Sequence, residues 1–131
     1  MSDSERLQRI EDRQAIRDLL ASYCYRIAAA EIDAVLALFA EDSVVEILGD
    51  RYEGEAGLRA LYTASFPVEP KPLLHNHLLE SLDPTSARGR SVFEIRQVRD
   101  GQPETSLGCY ADTFTKRDGV WKFQRRVFAF Y

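Results

Sequence analysis

Two histidines, His75 and His77, flank an asparagine in a 131-residue chain that holds no others. Imidazole is the side chain that changes charge near neutrality without help, so the His75-Asn76-His77 triplet is the first candidate for proton transfer. On a strand, residues two apart point to one face, and both rings would then line one pocket. One of them would serve as general base or acid for a proton on carbon. The plainer reading is a pair of hydrogen-bonded polar residues at the entrance of a strand. His-x-His spacing also suits a metal, but a catalytic zinc or iron site takes three protein ligands. A third would have to come from Glu80, Asp112 or Cys109, so no metal site is expected.

Tyr23 and Tyr25 fall within a long helical pattern. Residues two apart on a helix diverge by about 200°, so one at most faces inward, and Tyr23 follows the apolar stripe. A buried phenol beside a reaction centre donates to a developing oxyanion. Its ordinary role is core, with the hydroxyl satisfied. Towards the carboxyl end, Tyr110, Asp112 and Phe114 share one strand face, and Arg126 and Phe128 share another. Asp112 and Arg126 on neighbouring strands read first as a structural ion pair. Turned inward, Arg126 would hold an anionic substrate group or steady a histidine. His75, His77, Tyr23, Asp112 and Arg126 are therefore the candidate catalytic residues. Asn76, Tyr25, Tyr110 and Phe128 are the candidate substrate contacts. The last four residues, Phe128-Ala129-Phe130-Tyr131, are apolar for a chain end, which suits the cover of a pocket mouth or a subunit interface. Glycine-rich phosphate loops, a nucleophile elbow and Cys-x-x-Cys pairs do not occur, which argues against nucleotide-dependent, serine-hydrolase and thioredoxin-like chemistry.

The elements that must position these residues follow from periodicity. Ser2 with Glu5 fits a capping box. Leu7, Ile10, Ile16, Leu19, Leu20, Tyr23 and Ile27 then recur at helical spacing. Ala34–Phe39 predicts a second, short helix with Asp33 as its N-cap, and Glu55–Ser65 a third. Pro67, Pro70 and Pro72 predict an extended linker. Val44–Leu48 reads as one early strand, and from about residue 73 the pattern is strand throughout. Asp100-Gly101 and Asp118-Gly119 are hairpin turns between strand-like runs. Helices first and a strand meander afterwards argue an α+β class. The arrangement expected is a cone-shaped α+β barrel, with the N-terminal helices packed in a curved antiparallel or mixed sheet around an apolar pocket.

Composition bounds the rest. At 131 residues and 14.9 kDa the chain makes one domain, residues 1–131. It is 45% hydrophobic and 29% charged, ordinary for a globular protein and incompatible with disorder. A net charge of −4 leaves no basic face for duplex nucleic acid. No apolar run approaches the roughly 18 residues that would span a membrane. The charged start and the two unframed cysteines, Cys24 and Cys109, predict a cytoplasmic protein.

Three segments in order carry a resemblance over nearly the whole chain. They are Ile16–Tyr23 (IRDLLASY), Glu31–Asp42 (EIDAVLALFAED) and Tyr110–Phe123 (YADTFTKRDGVWKF). Together they resemble the SnoaL-like branch of the nuclear-transport-factor-like superfamily. That superfamily includes ketosteroid isomerases, scytalone dehydratase and hexachlorocyclohexane dehydrochlorinase. The resemblance implies an apolar cavity, no cofactor, lyase or isomerase chemistry by proton transfer, and a homodimer or homotrimer. Tyr23 matches the oxyanion tyrosine of the isomerases, and Arg126 an arginine of the dehydrochlorinase pattern. The dehydratases' aspartate falls on Ala28 and their histidine on Pro72. The leading expectation is a cofactor-independent lyase or isomerase of dehydratase, dehydrochlorinase or cyclase type. It would act on a small apolar or aromatic ring molecule, with His75 or His77 moving the proton. The alternatives are a non-catalytic small-molecule-binding domain and the structural small subunit of a ring-hydroxylating oxygenase.

Overall fold

Ser2 caps the first helix in the computed structural model, which describes residues 1–131. Its hydroxyl accepts from the Glu5 amide at 3.1 Å, and Glu5 accepts from the Ser2 amide in return. This helix, α1 (Asp3–Ala28), buries Asp12, Ile16, Leu19, Leu20, Tyr23 and Ile27 along one stripe. Leu7 and Ile10, which share the periodicity, are instead exposed. No helix is long and apolar enough to cross a membrane.

The short helix α2 spans Ile32–Leu36 rather than Ala34–Phe39, and Glu31, not Asp33, stands at its N-cap without a side-chain bond. Phe39 leaves the helix to begin β1 (Phe39–Ile47), where it pairs with Phe123. A hairpin at Leu48-Gly49, both at positive φ, leads to β2 (Asp50–Glu53), and α3 (Gly54–Ser65) follows. The prolines hold no extended linker. Phe66–Val68 is a 3₁₀ turn, and Pro72 lies inside β3 (Lys71–Leu82). β3 is an edge strand, where a residue without an N–H is tolerated.

The remaining strands are β4 (Ser86–Arg99), β5 (Gln102–Arg117) and β6 (Val120–Phe130). Asp100-Gly101 and Asp118-Gly119 turn the chain between them with both residues of each pair at positive φ. Such turns match the right-handed twist of the strands. The sheet order is β2-β1-β6-β5-β4-β3, antiparallel except where β1 lies parallel to β6. This is a curved α+β cone whose sheet does not close. α1 lies against the inner face of β3 and β6, and α3 against β1. Asp12 fastens α1 to the last hairpin by accepting from Trp121 Nε1 at 2.9 Å and Lys116 Nζ at 3.0 Å.

One irregularity decides the fate of the histidines. Leu74 pairs with Phe93 and His77 with Ser91, so β3 uses three steps where β4 uses two. That is a β-bulge, and it breaks the alternation of faces. Leu74 and His77 turn inward, while His75 and Asn76 both turn outward.

Candidate functional site

The inward positions of β5 and β6 bring Asp112 opposite Arg126. Arg126 donates to both carboxylate oxygens, from Nε at 2.7 Å and Nη2 at 2.8 Å, and each side chain is 1% exposed. Burial works against the guanidinium charge. The Asp112 carboxylate outweighs it and pushes the Arg126 pKa up. Aromatic rings close around the cation: its central carbon lies 3.6 Å from the Tyr110 ring centre, 4.3 Å from Tyr23 and 4.4 Å from Phe123.

Beside this pair lie three phenols. Tyr23 from α1 and Tyr62 from α3 place their hydroxyls 3.0 Å apart, fully buried. One bond between two hydroxyls uses one proton, so the pair keeps a second proton to donate. Tyr110 adds a buried hydroxyl with no partner, and Arg126 Nη1 is likewise unpaired. Desolvation pushes all three phenols above their usual pKa, most strongly Tyr62 and Tyr110, while Arg126 pulls Tyr23 the other way. The hydroxyls therefore stay protonated at physiological pH. The site is rich in donors, and both oxygens of its one carboxylate are engaged.

The tyrosines line a cavity of about 340 Å³ whose walls are mainly apolar, including Ile27, Ile47, Leu61, Ile95, Phe128 and Phe130. Gln97, Arg99 and Ser106 are the polar residues that β4 and β5 add to this lining. Of the residues singled out in the sequence, Tyr23, Tyr110 and Phe128 line the cavity, and Asp112 and Arg126 lie behind the phenols. Tyr25 is 78% exposed, because the helix turns it away when Tyr23 faces in. His75 is exposed and lies 3.2 Å from Glu94 Oε1, and Asn76 is exposed beside it. The expected shared face of the two histidines is thus replaced by opposite faces, for the bulge inserts one extra residue between them.

His77 points inward but lines a groove apart from the tyrosine cavity, with Arg17, Leu20 and Leu74. His75 and Asn76 border the same groove from its outer side, so the two histidines share this groove though not a strand face. The Nε2 of His77 is buried without a partner. Desolvation lowers its pKa, Asp112 opposes that, and Arg17 and Arg126 reinforce it. Pro72 lines the cavity, and Ala28 ends α1 with its carbonyl accepting from Lys71 Nζ at 2.7 Å. No group of three or more His, Cys, Asp or Glu side chains comes together to hold a metal. The sequence reading missed Tyr62, Gln97 and Arg99. Tyr62 was visible as part of the apolar face of α3 with Leu58 and Leu61, yet nothing local says that its hydroxyl meets Tyr23 from 39 residues away.

The profile of the SnoaL-like domain family matches residues 8–127. No curated protein matches the chain. Among solved structures, a protein of unknown function from Mycobacterium tuberculosis superposes with a TM-score of 0.89 at 24% identity, over 100% of this chain and 77% of that one. A protein from Novosphingobium aromaticivorans, itself only provisionally described as an aromatic ring hydroxylase, gives 0.86 at 30% identity over 92% and 90%. A hexachlorocyclohexane dehydrochlorinase from Novosphingobium barchaimii gives 0.85 at 21% over 95% and 90%, a likeness of fold.

Proposed function

We propose, for a chain that belongs to the SnoaL-like domain family, that the cone receives a small apolar ring molecule and holds it by an acceptor oxygen at the tyrosine floor. The observation that carries this reading is the surplus of buried donors at the inner end of an apolar cavity. The Tyr23–Tyr62 pair has a proton left over, and the Tyr110 hydroxyl has no partner. A buried donor without an acceptor is costly, and a ligand oxygen relieves that cost. Protonated phenols polarise such an oxygen and do not remove a proton from carbon.

A ketone and the hydrocarbon of the same shape test this. The native chain is expected to bind 1-tetralone about 10-fold tighter than tetralin, measured by calorimetry. In the double variant Tyr23→Phe with Tyr62→Phe the preference should fall sharply, with Tyr110 supplying what remains. Equal binding of ketone and hydrocarbon by the native chain rejects the reading.

A second reading, lyase or isomerase catalysis, is favoured by the buried, unpaired Nε2 of His77 near Asp112 and by the likeness of fold to a dehydrochlorinase. It requires a substrate in the His77 groove rather than in the tyrosine cavity. Exchange of the protons next to the tetralone carbonyl with D₂O should then be faster with the native chain than with buffer, slower in His77→Gln and unchanged in Tyr23→Phe with Tyr62→Phe. Exchange at the buffer rate leaves binding alone.

A further inference from the structure

Inward-facing residues of β4 descend from the rim of the cavity: Arg99, Gln97 and Ile95 line it, and Phe93 follows in the core below. Arg99 is exposed, Gln97 and Ile95 are half-buried, and Phe93 is fully buried against Tyr110. At about 3.3 Å per residue the four steps from Arg99 to Ile95 span on the order of 13 Å, so a ligand touching both ends must be elongated. Among the residues that line the cavity, Arg99 carries the only formal charge.

The manner in which Arg99 is held bears on what it recognises. Glu104, across the β4–β5 hairpin, accepts from Arg99 Nε at 3.1 Å and also from the Gln97 amide. This contact fixes the guanidinium by its inner nitrogen and leaves both terminal nitrogens without a protein partner. Two parallel N–H groups on a planar fork match a carboxylate. An exposed ion pair of this kind contributes little to stability.

We propose that the ligand of this cavity is an elongated apolar carboxylic acid, its carboxylate on the free end of Arg99 and its second, acceptor oxygen at the tyrosine floor. The proposal rests on the cavity reading given above and adds the charge of the ligand and its direction of entry. The acidic chain repels anions at large, with a net charge of −4, so attraction at the mouth must come from Arg99. Glu104 opposes that attraction while it positions the guanidinium.

The test uses 1-tetralone bearing a 3-carboxypropyl chain at carbon 6, which sets its carboxylate about 13 Å from the ketone oxygen, the methyl ester of the same acid, and plain 1-tetralone. At pH 7.5 and low salt the acid is expected to bind about 10-fold tighter than the ester. Arg99→Gln should bring acid and ester to parity. Glu104→Gln should widen the gap, an effect opposite to that of losing a merely structural ion pair. Raising the salt to about 0.5 M should narrow it. An ester bound as tightly as the acid overturns the proposal, as does a preference that survives Arg99→Gln. Binding of 1-tetralone with neither acid nor ester overturns the proposal and leaves the cavity reading standing. Failure of all three compounds to bind removes both.

Discussion

Arg126 is a positive charge with no exposure to water, held by one carboxylate and three rings. Removing its partner alone leaves a buried guanidinium uncompensated, which costs far more than the net contribution of the pair. Asp112→Ala is expected to destabilise the chain by about 3–5 kcal/mol, read as a fall in the urea midpoint. The double change Asp112→Leu with Arg126→Met should lose much less stability than the single one, since it removes both charges. A double variant as unstable as Asp112→Ala would refute this account. An Asp–Arg pair on neighbouring strands was legible in the sequence, but the register set by the Asp118-Gly119 turn would place Asp112 opposite Arg125, and the irregularity at Gln124 shifts it to Arg126. What the pair does was not legible, since the rings that surround Arg126 come from α1, β5 and β6.

At the scale of elements, close approach and irregular pairing matter more than propensity. Gly108 on β5 lies where an added methyl group would overlap the Ala129 carbonyl and come within 2.6 Å of Phe93 Cζ. Backbone and a packed ring cannot yield cheaply, so Gly108→Ala is expected to lose about 1–3 kcal/mol and to unfold at a lower temperature. Phe93 stacks on Tyr110 at 4.4 Å between ring centres, so the same change should also weaken 1-tetralone binding. An unaltered melting temperature would show that β5 can shift. The bulge in β3 has the opposite character, for it changes facing without a large change of path. It separates His75 from His77 and leaves one histidine outside.

For the whole molecule, pH acts through groups whose proton affinity changes on folding. Burial lowers the His77 pKa below its ordinary value of 6.5. The unfolded chain therefore binds that proton more readily, and stability falls as pH drops through 6.5. The His77 contribution is complete above that value. Native chain is expected to show a lower urea midpoint at pH 5 than at pH 7.5, and His77→Gln should show a smaller difference. An identical difference in the variant would place the pH response elsewhere. Asp12 adds a separate, more acidic limb. Burial is the largest single influence on it and raises its pKa, yet the bonds from Trp121, Lys116 and Gln8 together bring it below 3.8. Its contribution is full above that value and is lost as pH falls through the lowered one, loosening α1 from the last hairpin.

The sequence by itself determined the α+β class, the capped first helix, two of the four hairpin connections, the inward course of Tyr23 and the shared face of Tyr110 and Asp112. Each of these follows from local rules, whether periodicity, capping or the residues a tight turn demands. Tertiary structure alone decided that Tyr62 meets Tyr23, that His75 and His77 part company, and that Arg99 stands at the rim of the cavity. A single extra residue in a strand reverses every later face, and a contact between α1 and α3 leaves no mark in either segment. The candidate site is assembled from seven separate elements: α1, β1, α3, β3, β4, β5 and β6. Periodicity assigns each its buried face, but only the packed sheet sets the distances between them.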